Sequence, residues 1–366
     1  MKGLSLCMIV RNEERHIRRC LDSVKDVVNE MVIVDTGSTD GTVGICRSYG
    51  ASVYEIPWNN SFAEARNYAL DRATGDWLMY LDADEELDAA DRFKLKDAVR
   101  EQKADLLAVK LLNYTGDVPD PDQAYLVEQY RLFRNGLGFR FKHDIHEVLS
   151  VGELKPAISA ALPITVHHYG YLQGETETKR KFARNMCLLD RELARPDHDP
   201  WMEYHAASEF YRIGMYDIAL QYINVAIVRF LQRGGVPPSM LYKLKYEMLL
   251  TFPDKTNQAL STIDFAIRLH PDYVDLHYYK GILLYREGNY REALESFDRC
   301  LSIGENNLRH LTLKGAGSYR AWHYKGKCWV ALGDEESAES CFRTTLELSP
   351  NFAEAAIDLS SLSGNH

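Results

Sequence analysis

Trp77-Leu-Met-Tyr-Leu81 is an unbroken apolar run that leads straight into Asp82-Ala83-Asp84-Glu85-Glu86. Apolar residues without alternation suit a strand buried on both faces of a parallel sheet. Such a strand delivers the polar residues after it to the carboxyl edge, where open α/β sheets bind ligands. If the extended backbone continues through Ala83, Asp82 and Asp84 face the same side. Two carboxylates on one side suit a hard divalent cation, Mg2+ or Mn2+, which in turn gathers phosphate oxygens. The same residues also suit a solvated acidic turn ahead of a helix N-terminus.

The preceding chain weighs on that choice. Leu4 to Val10 reads as a first strand. Asn12 to about Val28 reads as a helix, with Ile17, Leu21, Val24 and Val28 on one face. Glu30 to Asp35 is a second buried strand ending in a carboxylate, followed by the turn-rich Thr36-Gly-Ser38-Thr-Asp40-Gly-Thr42. Gly41 to Tyr49 makes a helix and Ala51 to Ile56 a third strand. Ser61 and Glu64 have capping-box spacing and open a helix through about Asp71. Strands alternating with helices in this way predict a doubly wound parallel sheet. Three strands therefore end in candidate ligand loops, at Arg11-Asn12-Glu13, at Asp35 to Asp40 and at Asp82 to Asp84. A carboxylate at such an end can accept from a uracil imide or from ribose hydroxyls, and amides at a helix start can receive phosphate. Asp35 and Asp40 also fit ordinary turn and cap chemistry.

Composition narrows the class. With 366 residues, 46% of them hydrophobic, the chain can bury a large core and fill two domains. A net charge of −10 argues against a general nucleic-acid binder. No apolar run is long enough to span a membrane. Met1 to Val10 carries a single Lys and reads as a buried strand rather than a signal peptide. The seven cysteines, odd in number and without paired spacing, read as reduced thiols of a cytoplasmic protein.

Four segments carry a family resemblance: Met8-Ile-Val-Arg11-Asn12-Glu13-Glu14, Val32-Ile-Val-Asp35-Thr-Gly-Ser38-Thr-Asp40-Gly-Thr42, Phe62-Ala-Glu-Ala-Arg66-Asn67 and Leu81-Asp82-Ala-Asp84-Glu85. In this order and spacing, over roughly residues 1 to 170, they resemble family 2 glycosyltransferases. The resemblance implies a GT-A fold and a nucleotide-sugar donor. It implies that Asp35 contacts the base and that Glu13 and Ser38 lie near the nucleoside, beside Arg11. It places Arg66 at the diphosphate or its neighbourhood, Asp82 at the ribose or a metal, and Asp84 at the metal.

Further on, Asp88 to Gln102 reads as a helix, Leu106 to Leu112 and Tyr125 to Phe133 as strands, and Asn113 to Gln123 as a loop between them. Histidines then gather in His143-Asp144-Ile145-His146-Glu147 and in Val166-His167-His168-Tyr169-Gly170-Tyr171. They suit either a dedicated zinc site or the surroundings of a cleft rich in phosphate and metal. The resemblance implies a late carboxylate that deprotonates the acceptor. Glu147 stands where that base is expected, with Asp144 as its competitor and His168 as a further metal or phosphate ligand. Alternatively, Glu147 only orients His146.

After Arg195-Pro-Asp-His-Asp-Pro200 the pattern changes to paired helices. Ala219-Ile223-Ala226, Ala259-Ile263-Ala266, Ala293-Phe297-Cys300 and Ala338-Phe342-Thr345 recur with leading-Ala spacings of 40, 34 and 45. A period near 34 resembles tetratricopeptide repeats, with insertions at Gly234 to Ser239 and Gly304 to Gly317. The expected division is a transferase domain over 1–172, a helical linker over 173–200 and a repeat domain over 201–366. Such repeats hold peptides or protein surfaces, or form a homodimer. Tyr278, Tyr279, His323 and Tyr324 either line that surface or fill the packing between repeats.

Together these features resemble bacterial enzymes that glycosylate peptides and proteins, including the S-glycosyltransferases acting on bacteriocin cysteines. The implied activity is inverting, uses Mg2+ or Mn2+ and a UDP-sugar, and modifies a Cys, Ser or Thr side chain of an acceptor held by the repeats. A transferase for a cell-surface glycan and a repeat scaffold with a vestigial transferase fold are the alternatives.

Overall fold

The apolar runs become strands whose alternate residues enter two cores. In chain order the first half forms β1 (Leu4–Val10), α1 (Ile17–Val24), β2 (Glu30–Asp35), α2 (Thr42–Ser48), β3 (Ser52–Glu55), α3 (Phe62–Leu70) and β4 (Trp77–Tyr80). Leu6, Met8, Ile33 and Met79 pack with Ile17 and Leu21 of α1, whereas Cys7, Val32, Val34 and Leu78 pack with Ala63, Ala69 and Leu70 of α3. Burial on both faces is why these strands lack polar alternation. The computed structural model describes residues 3–101, 103–150, 157–170, 172 and 175–363. The chain divides into two units, residues 1–119 with 127–175, and residues 120–126 with 176–366.

In the first unit, β5 (Glu85–Leu87), α4 (Arg92–Glu101), β6 (Leu106–Tyr114), β7 (Ala124–Arg134), β8 (Arg140–Lys142), β9 (Val148–Ser150) and β10 (Ser159–His168) follow. The sheet order is β3-β2-β1-β4-β7-β6-β10-β5, and β8 pairs with β9 apart from it. The four strands β3, β2, β1 and β4 are parallel, as expected. Beyond them the doubly wound parallel reading fails, because β7 runs antiparallel to β4 and β5 antiparallel to β10. The connection 115–123 between β6 and β7 is too short for a crossover, so the chain turns back. The sheet is mixed. Glu85 and Glu86 accordingly lie in a strand, not in a solvated acidic turn.

Helix α1 begins at Ile17 rather than Asn12, since Asn12 has a positive φ of 57° and residues 12–16 form a loop. Ser61 caps α3 as its spacing predicts, its side chain accepting from Glu64 N at 3.2 Å.

The second unit is helical: α5 (Glu175–Leu193), α6 (Trp201–Arg212), α7 (Tyr216–Gln232), α8 (Ser239–Leu250), α9 (Thr256–Leu269), α10 (Val274–Arg286), α11 (Tyr290–Ile303), α12 (Tyr319–Leu332), α13 (Glu335–Leu348) and α14 (Ala353–Ser363). A two-residue strand, β11 (Thr312–Leu313), precedes α12. The recurrent small and bulky residues are the seams of helix pairs: Ala219, Ile223, Ala226, Ala259, Ile263, Ala266, Ala293, Phe297 and Cys300 are all fully buried. A Cβ on Gly281 would lie 2.5 Å from the Phe297 ring, and one on Gly326 2.4 Å from that of Phe342. The same glycine-on-phenylalanine approach thus recurs in two successive pairs. Tyr278 and His323 are buried, and Tyr324 stacks on Phe297 at 5.4 Å, so these three aromatics fill inter-repeat packing, whereas Tyr279, also buried, turns its hydroxyl to Glu247 at 3.2 Å.

The stretch expected as a linker belongs to this unit. Leu188 and Leu189 of α5 are buried, Asn185 donates to Glu209 at 2.8 Å, and Phe182 meets Phe210 edge-on at 5.4 Å. An amphipathic helix with such a face packs rather than links.

Candidate active site

The loops after β1 and β2 are stitched together by their own polar groups. Asn12 N donates to Ser38 Oγ at 2.9 Å, while Asn12 Oδ1 accepts from Thr39 N at 2.8 Å. Glu13 N donates to Thr42 Oγ1 at 2.8 Å, and Gly41 N to Glu14 Oε2 at 2.9 Å. Asp35 is buried and accepts from Gly37 N and Ser38 N at 3.0 and 2.9 Å, with the Ser38 hydroxyl on its other oxygen. Asp40 accepts from Thr42 N and Oγ1. The turn and cap roles weighed for both aspartates are therefore present, and they pre-order the loops. Arg11 is exposed.

Strand β4 ends at Tyr80, and a turn follows in which Glu85 N donates to Asp82 O at 3.0 Å. The extended backbone does not continue through Ala83, so Asp82 and Asp84 meet different partners. Asp82 Oδ1 takes Arg66 Nη2 at 2.7 Å, and Arg66 Nε reaches Glu147 Oε1 at 2.5 Å. One buried guanidinium thus bridges the turn to the late carboxylate. Burial works against ionising Asp82, yet the guanidiniums of Arg66 and Arg131 hold its carboxyl far below the usual range.

Helix α3 explains how Arg66 and Glu147 meet. Phe62 N donates to the carbonyl of Asp144 at 2.8 Å, and Asn67 exchanges two 2.9 Å hydrogen bonds with the backbone of Phe141. Residues 141–147 are clamped along one helix, inside a segment where His143 and His146 both hold positive φ. Asp144 itself is exposed.

Arg131, which no motif included, and Glu85, which closes the Leu81 to Glu85 motif without an assigned role, underpin the turn. Glu85 Oε2 accepts from Asp82 N at 2.9 Å, and its other oxygen is paired with Arg131 Nη2. Burial pushes the Glu85 carboxyl above the usual carboxylate range, against the pull of Arg131. Both arginines make cation–π approaches to the Tyr80 ring, Arg66 at 5.2 Å and Arg131 at 4.6 Å from its centre.

His168 Nε2 lies 3.7 Å from Asp84 Oδ1, and its Nδ1 donates to Asn113 Oδ1 at 2.8 Å. That second bond orients the ring so that Nε2 is the nitrogen facing the carboxylate. A Cβ at Gly170 would stand 2.5 Å from both Asp84 Oδ2 and His168 Nε2, so the glycine leaves a hollow between them. A carboxylate oxygen and an oriented imidazole nitrogen beside this hollow fit a divalent cation that keeps its other positions for phosphate and water. Among the described residues no group of three or more His, Cys, Asp or Glu could hold a metal ion. The dedicated zinc site is therefore not built. His167 instead pairs with Tyr114 and Asp88, each at 2.9 Å, and His143 is exposed. Tyr171 lies outside the described residues.

The model of glycosyl transferase family 2 matches residues 5–151, and that of the tetratricopeptide repeat matches residues 274–307. A TPR repeat-containing protein of Synechococcus elongatus is 32% identical over 260 residues, 68% of this chain and 62% of that protein. The SPbeta prophage-derived glycosyltransferase SunS of Bacillus subtilis is 27% identical over 227 residues, 60% of this chain and 52% of that protein. An uncharacterized glycosyltransferase of Rickettsia typhi is 40% identical over 87 residues, 24% of this chain and 30% of that protein. The chain thus spans less than two thirds of the length of each of these relatives. No described helix is long and apolar enough to cross a membrane. Residues 5–151 are a family 2 glycosyl transferase domain, and the helices after it include a tetratricopeptide repeat.

Proposed function

We propose that the chain is an inverting glycosyltransferase that moves a sugar from a UDP-sugar to a Cys, Ser or Thr side chain of a peptide or protein, the repeat unit holding the acceptor. The observation that carries this reading is the Arg66 bridge. It joins Asp82, at the end of β4, to Glu147, so that a strand-end acidic turn and a second carboxylate belong to one cluster. The stitched loops at 12–14 and 35–42 supply a rigid bed for the nucleoside, with Asp35 at its base.

In this reading Glu147 takes the acceptor proton as the acceptor sulfur or oxygen bonds to the anomeric carbon. The bond from that carbon to the diphosphate breaks on the opposite face, and the sugar inverts. A thiol, with an ordinary pKa of about 8.5, asks less of the base than a hydroxyl. Asp84 and His168 would hold Mg2+ or Mn2+. When bound, that ion neutralises charge on the departing diphosphate. Arg66 positions Glu147 and shares its charge with Asp82. A cytoplasmic location fits a soluble donor of this kind.

The test is a panel of nucleotide-sugars incubated with the purified chain and Cys-, Ser- or Thr-containing peptides. The reading expects nucleoside diphosphate release that rises with peptide. Release that ignores the peptide would remove the acceptor assignment but leave the donor chemistry standing.

A further inference from the structure

Residues 120–126 lie between β6 and the body of β7 in sequence, yet they fold as part of the helical unit. Their contacts there are specific. Tyr125 OH donates to Glu247 Oε1 at 2.5 Å, where Lys243 Nζ at 2.7 Å and Tyr279 OH at 3.2 Å also converge. The Lys243 ammonium stands 3.8 Å above the Tyr125 ring, a cation–π contact. Three positions earlier, the Asp122 carboxylate accepts from Ser349 Oγ at 2.8 Å and faces Lys314 Nζ at 3.8 Å, and its carbonyl accepts from Arg320 Nη2 at 2.5 Å. The backbone between these anchors is read as well. Leu126 and Tyr125 pair antiparallel with Thr312 and Leu313 of β11, and Lys314 N donates to Ala124 O at 3.0 Å. Asp275 of α10 in turn receives Leu313 N on both carboxylate oxygens, which fixes the pairing strand.

This is the anatomy of peptide recognition by strand addition: main-chain bonds that any sequence can make, plus two side-chain sites that select. The lining residues come from the first helices of successive pairs, Lys243 and Glu247 from α8, Asp275 and Tyr279 from α10 and Arg320 from α12. The insertion at 304–317, which interrupts the repeat period, supplies the strand. We propose that this face is a binding site for an extended segment carrying an aspartate three residues ahead of a tyrosine, and that the chain's own Asp120–Leu126 fills it as a tethered ligand. Tethering gives the segment an effective concentration of about millimolar or above, so a free peptide of the same chemistry is excluded. An acceptor without these two anchors does not enter this face. The inference is independent of the transferase reaction.

The test uses the full chain and a fluorescent peptide with the sequence of residues 118–128, read by anisotropy. The wild-type chain is expected to leave the peptide free. Asp122→Ala/Tyr125→Ala, which strips the tethered segment of both anchors, is expected to bind it at least tenfold more tightly, and to ignore a peptide in which the tyrosine is alanine. Equal binding by wild type and double variant would overturn the proposal. So would a double variant that melts like wild type and still refuses the peptide. If the double variant unfolds, Tyr125→Phe decides, since it keeps the ring and removes the hydroxyl that bonds Glu247. It is expected to admit the peptide measurably above wild type, and wild-type exclusion there would also overturn the proposal.

Discussion

Arg66 Nε and Glu147 Oε1, 81 positions apart in the chain, are joined at 2.5 Å with both side chains largely buried. Asp82 takes the other end of the same guanidinium. Removing the cation would leave two carboxylates close together with no partner between them. Breaking a buried pair in this way costs on the order of 3 kcal/mol, and lysine cannot span both acids with one compact ammonium. Arg66→Ala and Arg66→Lys should both lower the urea midpoint, alanine by more. A change under about 1 kcal/mol for alanine would mean that the bridge is incidental.

The hollow beside Gly170 is expected to bind Mg2+ or Mn2+ together with a nucleoside diphosphate. Calorimetry with UDP should show binding strengthened by either ion and returned to its metal-free value by chelator. Asp84→Ala and His168→Ala should each remove the strengthening while leaving metal-free binding unchanged. Metal dependence that survives both substitutions would place the ion elsewhere.

Glu147→Gln keeps shape and the bond from Arg66 but cannot take a proton. It should lower kcat by roughly 10²–10⁴-fold with little change in donor affinity. With a thiol acceptor the deficit should shrink as pH approaches the thiol pKa of about 8.5, because solvent then supplies thiolate. Asp144→Asn is the counterpart on an exposed side chain. If it abolishes transfer and Glu147→Gln does not, Asp144 is the base.

The strands were legible because two-sided burial leaves unbroken apolar runs such as Val32 to Val34 and Trp77 to Leu81. The antiparallel return of β7 was not, although the polar Glu128 and Gln129 inside it and the short connection at 115–123 are the signs the sequence carries. Asn12 ended the reading of α1 for a local reason: one left-handed residue and two side-chain bonds outweigh a helical spacing. The strand-end carboxylates could be found because they follow apolar runs. The pairing of Arg131 with Glu85 could not, because it joins strands 46 positions apart and Arg131 belongs to no spaced motif. An arginine inside the otherwise apolar end of β7 was the one available hint, as a buried charge needs a partner. The segment 120–126 left no trace of its destination, since its partners Glu247, Arg320 and Ser349 lie far along the chain.

Asp275 makes the helical unit sensitive to pH. Burial raises its carboxyl from the ordinary 3.8 to about 7, against Lys243 and the Leu313 N–H, with Glu247 adding to the rise. The folded state therefore keeps a proton that the unfolded chain releases. Stability is complete below about pH 4 and is lost as pH rises through 7, by on the order of 4 kcal/mol in full. Melting followed from pH 5 to 8.5 should show this decline in the wild-type chain, and Asp275→Asn should flatten it. An equal slope in the asparagine variant would assign the decline to other groups.

Intact-mass spectrometry of acceptor peptides tests the central claim most directly. Peptides bearing Cys, Ser or Thr are incubated with a panel of UDP-sugars, Mg2+ and the purified chain. The account predicts that one donor adds a single sugar to a peptide side chain, that chelator stops it, and that Asp84→Ala and Glu147→Gln nearly abolish it. A folded chain that leaves every peptide unmodified with every donor, or Asp84→Ala and Glu147→Gln variants that transfer as well as wild type, would contradict it.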